Sequence, residues 1–242
     1  MKKILFVLLF FATMNLLYAQ SVKDKLKQAQ KSLVATPTED EIVEGLKEAL
    51  NTGANTAGST ASKVDGYLKN PRLFIPFPPE AQKMKEQLLK IGMEAQVSEF
   101  EIALNRAAED AAKKAAPIFM DAIKKMTVTD GMNILMGADT AATNFLRINT
   151  NTALYTAYKP IVQEAIQKAD VTRHWNTLTT AYNKIPGVKK MNPDLEDYVI
   201  KSGLTGLFKL VADEEINIRK NSVARYSAVL KKVFNYAEVQ KK

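Results

Sequence analysis

Apolar residues recur along this chain at intervals of three and four, and no convincing alternation of apolar and polar positions appears. Val97, Phe100, Leu104, Ala107, Ala111 and Ala115 form the cleanest stripe, one apolar face of a long helix. Ile42, Leu46, Ala49 and Leu50 fall on one side of an earlier helix. Thr38, with Glu41 three places on, supplies a capping box ahead of it. Residues 52–62 are rich in Ala, Gly, Ser and Thr. Small side chains let helix backbones approach closely, so this stretch reads as a tightly packed continuation of that helix, with a loop as the alternative.

Turn signals then interrupt the pattern. Asp65-Gly66 and Asn70-Pro71 mark a turn, and three prolines force residues 72–79 to be extended. Leu73, Phe74, Ile75 and Phe77 make that segment either a strap laid across a helical core or an exposed apolar lip for a membrane or partner. A helix from about Pro79 to Ile91 breaks at Gly92. Pro117 starts or kinks the turn that carries Ile118, Phe119 and Ile123. Thr127 and Asp130 resemble a second capping box, and Gly137 suits a helix end. Asp139 is placed to cap a helix running to about Tyr158, with a kink or restart at Pro160. Thr172 opens a helix that Pro186-Gly187 ends, and Asn192-Pro193 starts another with a break expected near Gly203. Tyr226, Val229, Leu230, Val233 and Phe234 form the stripe of a last helix. The expected fold is all-α, an irregular multi-helix bundle.

The start of the chain adds an address. Lys2 and Lys3 precede a nearly unbroken apolar run from Ile4 to Leu17, and Ala19 precedes Gln20. This is the pattern of a secretory signal peptide, and the run is short for the ~20 residues that a bilayer needs. A retained anchor is the alternative. The expected organisation is a signal peptide over 1–19, a partly flexible lead-in over 20–38 and one helical domain over 39–242, working in a periplasm or secreted, with no transmembrane segment once the leader is cut.

Composition removes whole classes of chemistry. No cysteine is present, which excludes thiol catalysis, disulfides, Cys-ligated metal and lipid attachment at a cysteine. His174 is the one histidine, so no multi-histidine zinc site and no histidine pair can form. The net charge of +8, or +6 without Lys2 and Lys3, is dispersed among acids, whereas nucleic-acid binding needs a concentrated basic face. The acidic groups Asp213-Glu214-Glu215 and Asp194/Glu196/Asp197 lack a calcium-loop pattern, and no nucleotide or hydrolase fingerprint is present. No metal and no cofactor is implied, and the partners of the chain stay open, an envelope surface or another protein among them.

Two clusters remain as candidate sites. On the helix after Asp139, one face gathers Thr140, Thr143, Asn144, Arg147, Asn151, Tyr155 and Tyr158 where lysines and glutamates would be usual. Asp139, Thr140, Thr143, Asn144 and Arg147 could line a polar ligand cleft with Arg147 as its charged anchor. A buried polar contact between helices is the other reading. The second cluster is Asn105, Arg106 and Glu109, with Glu101, Glu109 and Asp121 as the carboxylates that could supply acid–base work in a hydrolase or lyase. A structural salt-bridge network is the favoured reading of those residues. Glu215 and Arg219 read as an ordinary helix pair, and His174 beside Trp175 as a partly buried helix residue.

The segments GLKEAL (45–50), KVDGYLKNP (63–71), FIPFPPE (74–80), NRAAEDAA (105–112), APIFMDAIKKMTVTD (116–130), GADTAATNFLR (137–147), LYTAYKPIV (154–162) and GLFKLVADEEINIRK (206–220) occur in this order. Together they resemble an exported bacterial family known as a domain of unknown function, DUF4197, over roughly residues 39 to 235. The resemblance implies a helical envelope protein and supplies no catalytic residues. In that family the GADTAAT segment often has two glycines where this chain has Gly137-Ala138. Taken together, the expectation is an exported, non-enzymatic binding or interaction protein.

Overall fold

The capping box at Thr38 forms as the spacing requires. Thr38 Oγ1 accepts the Glu41 N–H at 3.2 Å, and the Glu41 carboxylate accepts the Thr38 N–H at 2.7 Å. From it runs helix α1, Glu39–Ala61. The computed structural model describes residues 35–189 and 194–241, side chains 128–130 excepted. The leader, most of the lead-in, Asn192-Pro193 and the Asp130 side chain lie outside the described residues. Eight further α-helices follow among the described residues: α2 (Gln82–Lys90), α3 (Glu94–Ala112), α4 (Ala115–Lys124), α5 (Val128–Met136), α6 (Ala141–Lys168), α7 (Val171–Tyr182), α8 (Leu195–Lys220) and α9 (Ala228–Lys241). The all-α multi-helix fold is as expected.

Helix α1 is the axis of the bundle, packed on α8, α4, α5 and α9. Its small-residue half is helical throughout because those residues set the packing distance. A β-carbon on Gly53 would lie 3.3 Å from Val211 of α8, and one on Gly58 would lie 3.0 Å from Ala116 of α4. Helix α6 packs on α3 and α8 on its other side. Buried Leu46, Leu50, Phe100, Leu104, Phe119, Leu146, Leu154, Leu207 and Val211 belong to one continuous apolar core.

The proline-rich segment is a strap, with Leu73, Ile75 and Phe77 buried and Phe74 half-buried. Phe77 stacks into a trio with Phe100 of α3 and Trp175 of α7, ring centroids 5.1–5.7 Å apart. Such aromatic contacts add about 0.5–1.5 kcal/mol per pair beyond simple burial.

Three local expectations are corrected. Pro160 does not divide α6, which continues to Lys168. Pro160 is exposed, so the carbonyl left without a helical donor faces solvent. Gly203 does not break α8 but faces the Tyr158 ring, and a β-carbon on Gly206 would lie 3.0 Å from Tyr67. These glycines make room for buried phenols. Tyr226 lies before α9, 61% exposed, and its hydroxyl meets Thr52 at 2.8 Å.

Candidate functional site

The polar row that the sequence places on α3 holds the strap. Glu101, Asn105 and Glu109 stand four residues apart, one turn each, so their side chains line up along one edge of the helix. Asn105, fully buried, accepts the Ile75 N–H at 2.8 Å and donates to the Ile75 carbonyl at 2.9 Å, as a neighbouring strand would. Glu101 accepts the Phe77 N–H at 3.1 Å and Lys85 Nζ at 2.6 Å. Glu109, 5% exposed, accepts the Tyr67 and Leu68 N–H groups on Oε1 and Arg106 on Oε2. Arg106 also reaches Asp65 at 2.8 Å, and the ammonium of Lys69 together with Arg106 holds the Asp65 carboxyl below the usual range. An extended segment has no backbone partner of its own, and these side chains supply one.

Asp121 stands apart from that cluster. It is exposed on α4 beside Lys124 at 3.2 Å and lines a different cleft from Glu109. The structure therefore joins Asn105, Arg106 and Glu109 but does not bring Asp121 to them.

At the start of α6 the residues expected to form one ligand site are divided. Asp139 does not cap the helix. Its carboxylate pairs with Lys220 at 2.7 Å, which lowers its pKa, and Thr140 occupies the cap position. The open N–H groups of Ala142 and Thr143 are instead taken by the carboxylate of Glu215 on α8, at 3.0 and 2.7 Å, and the Thr143 hydroxyl adds a third bond at 2.7 Å. A carboxylate suits a helix N-terminus because the unpaired N–H groups concentrate positive potential there. Arg219 binds the same carboxylate at 2.8 Å and donates to the Leu135 and Ile134 carbonyls at the end of α5. Glu215 and Arg219 are thus not an ordinary surface pair. They are a buried clasp that joins the end of α5 to the start of α6. Arg225, fully buried, continues it by donating to the Ile218 and Arg219 carbonyls at the end of α8.

Arg147 is exposed and bonds to Asn144 of its own helix at 2.7 Å, while Asn144 also donates to Thr140 at 3.3 Å. Further along the same face, Tyr155 donates to Asp197, which helps to push its phenol up to about 12. Tyr158 is buried without a hydrogen-bond partner, and burial raises its pKa further. His174 is half-buried, 3.7 Å from Glu99. Among the described residues no cluster of metal-ligating side chains forms, and no helix is long and apolar enough to cross a membrane.

A separate cleft of ≈ 530 Å³ lies between α4 and α6. Buried Leu50, Ile123, Leu146 and Leu154 form its floor. Ile118 and Phe145, both half-buried, stand on its two sides. On α6 the wall is low, because Ala153 and Ala157 occupy exposed positions that a larger side chain would fill. Asp121, Lys125 and Asn149 line it as well and are exposed, which places them at the mouth. The sequence signal was present only as two alanines four residues apart facing away from the core stripe, a pattern that helix propensity explains equally well.

The sequence model of one family, described as "Protein of unknown function (DUF4197)", matches residues 36–235. The chain belongs to that family. No curated protein and no solved structure matches it.

Proposed function

We propose that this DUF4197 protein is a binding protein whose site is the α4–α6 cleft, and that it takes up a small apolar or amphipathic molecule there. One observation carries the reading: a cleft of ≈ 530 Å³ with buried Leu50, Ile123, Leu146 and Leu154 in its lining lies open between α4 and α6. Ligand sites are typically concave, lined by apolar groups and about 300–1,000 Å³ in volume. The polar face around Arg147 supports a ligand less well, since Asp139 is paired with Lys220 and Thr143 with Glu215. The strap supports a membrane contact less well, since Leu73, Ile75 and Phe77 point inward. We further propose that the domain works outside the cytoplasm, on the strength of Lys2, Lys3 and the apolar run that follows them.

Titration with the neutral fluorophore N-phenyl-1-naphthylamine tests the cleft. Wild type is expected to give saturable one-to-one enhancement. Ala153→Phe and Ala157→Phe, at exposed positions that tolerate a larger side chain, are expected to abolish it while leaving the unfolding temperature within a few degrees. Equal enhancement in wild type and both filled variants would rule the cleft out. The address is tested by intact mass after expression in a bacterium: a chain beginning at or near Gln20 supports it, and one that retains Met1 does not.

A further inference from the structure

We infer that the cleft takes an anionic amphiphile, an alkyl monocarboxylate whose chain lies on the apolar floor and whose head sits beside Lys125. This deepens the binding reading above and depends on it. Leu50, Ile123, Leu146 and Leu154 offer hydrocarbon, and buried Thr150 in the same lining spends its hydroxyl on the Leu146 carbonyl at 2.6 Å, so the floor suits a hydrocarbon chain. Exposed Asp121, Lys125 and Asn149 line the same depression, so a bound molecule also meets polar groups there. A uniformly apolar ligand would leave that mouth unused.

Charge at the mouth selects the head. Asp121 is already balanced by Lys124 at 3.2 Å. Lys125 lines the cleft and has no carboxylate partner among the described residues. Lys47 approaches the same end of α4, where its ammonium donates to the Lys124 carbonyl at 3.0 Å. Lys47 and the acidic side chains Asp40, Glu44 and Glu48 together line the neighbouring groove beyond Met126 rather than this one. That leaves the Lys125 ammonium for the head, which a carboxylate complements and a quaternary ammonium opposes. Because Lys125 is exposed, the discrimination is modest, at most about fivefold for a single surface contact at low salt. The chain dominates affinity, at about fourfold per methylene buried.

Displacement of N-phenyl-1-naphthylamine by three ligands of equal chain length, all below their micellar concentrations, separates the two levels. Dodecanoate is expected to bind more tightly than dodecanol, and dodecyltrimethylammonium most weakly. Lys125→Glu is expected to invert the order of the two charged ligands and leave dodecanol unchanged. Shortening the carboxylate from twelve to ten carbons is expected to lower affinity by more than tenfold. If dodecanol displaces the fluorophore but the order of the charged ligands is absent, or is unaltered by Lys125→Glu, the headgroup inference is overturned and the cleft stands. If none of the three displaces it, both are overturned.

Discussion

Replacing Asn105 with leucine should unlatch the strap. The side chain makes three hydrogen bonds, to both backbone groups of Ile75 and to the Glu101 carbonyl at 2.8 Å. Leucine has nearly the same shape, so cavity formation contributes little and the loss is polar. A net hydrogen bond contributes about 1 kcal/mol, and each buried group left without a partner costs about 1–3 kcal/mol. Ile75 is 1% exposed, so its N–H and carbonyl find no water without local opening. Added apolar contact offsets part of this, and the sum is about 2–4 kcal/mol. For a domain of this size that corresponds to a fall of about 5–15 °C in unfolding temperature. Urea unfolding should show a lower midpoint with an unchanged slope, and amide exchange at Ile75 should accelerate along with the strap. Ile102→Leu, on the exposed side of the same helix, should change stability by less than about 0.5 kcal/mol. A leucine variant within 0.5 kcal/mol of wild type, with Ile75 still protected, would refute the view that α3 acts as the strap's missing strand.

Further outcomes follow from the same contacts. Arg219→Met strands the buried Glu215 carboxylate and should cost about 3–5 kcal/mol in chemical denaturation, whereas Glu215→Leu with Arg219→Met should recover much of it; an additive or milder pair would argue against a clasp. The pKa values of Asp65, Asp110, Asp139 and Asp197 are lowered by Lys69, Lys113, Lys220 and Lys201 respectively. The unfolded chain therefore binds protons first as pH falls, and stability should be flat above about pH 5 and decline below about pH 4, with Asp139→Asn flattening that decline. At the other extreme, burial raises the phenols of Tyr67 and Tyr158. Their contribution is full below pH 10 and lost above it, so tyrosinate absorbance at 295 nm should reach its full value only as the protein unfolds in base.

How far the sequence could be read depended on the distance over which each choice is made. The Thr38–Glu41 box, the apolar stripe from Val97 to Ala111 and the inward strap are local patterns and are found, although Ala115, read as the last position of that stripe, opens α4 instead. Asp139 misled because the competition for the α6 N-terminus is settled by Glu215, seventy-odd residues away, and by Lys220, which removes Asp139 from the cap. Gly203 and Pro160 are breakers by propensity. Tertiary packing overrides the first, with Tyr158 against Gly203, and solvent the second. The cleft was invisible for another reason. Its lining comes from α1, α4 and α6, and nothing in the sequence shows which faces of three helices fail to meet.

The buried carboxylates bear directly on where chemistry could occur. A general base needs an unoccupied lone pair within reach of a substrate. Both oxygens of Glu109 are engaged, by two backbone N–H groups and by Arg106. Both oxygens of Glu215 are engaged as well, by Ala142, Thr143 and Arg219. These bonds close the gaps in backbone pairing that an all-helical chain leaves wherever a helix starts, ends or gives way to a strap. Breaking them would release the strap or the α5–α6 junction, so both carboxylates serve the fold. The α4–α6 cleft carries no such duty: its exposed alanines and Lys125 can change partners without disturbing the bundle. A ligand of the proposed kind would leave the strap and the α5–α6 junction intact.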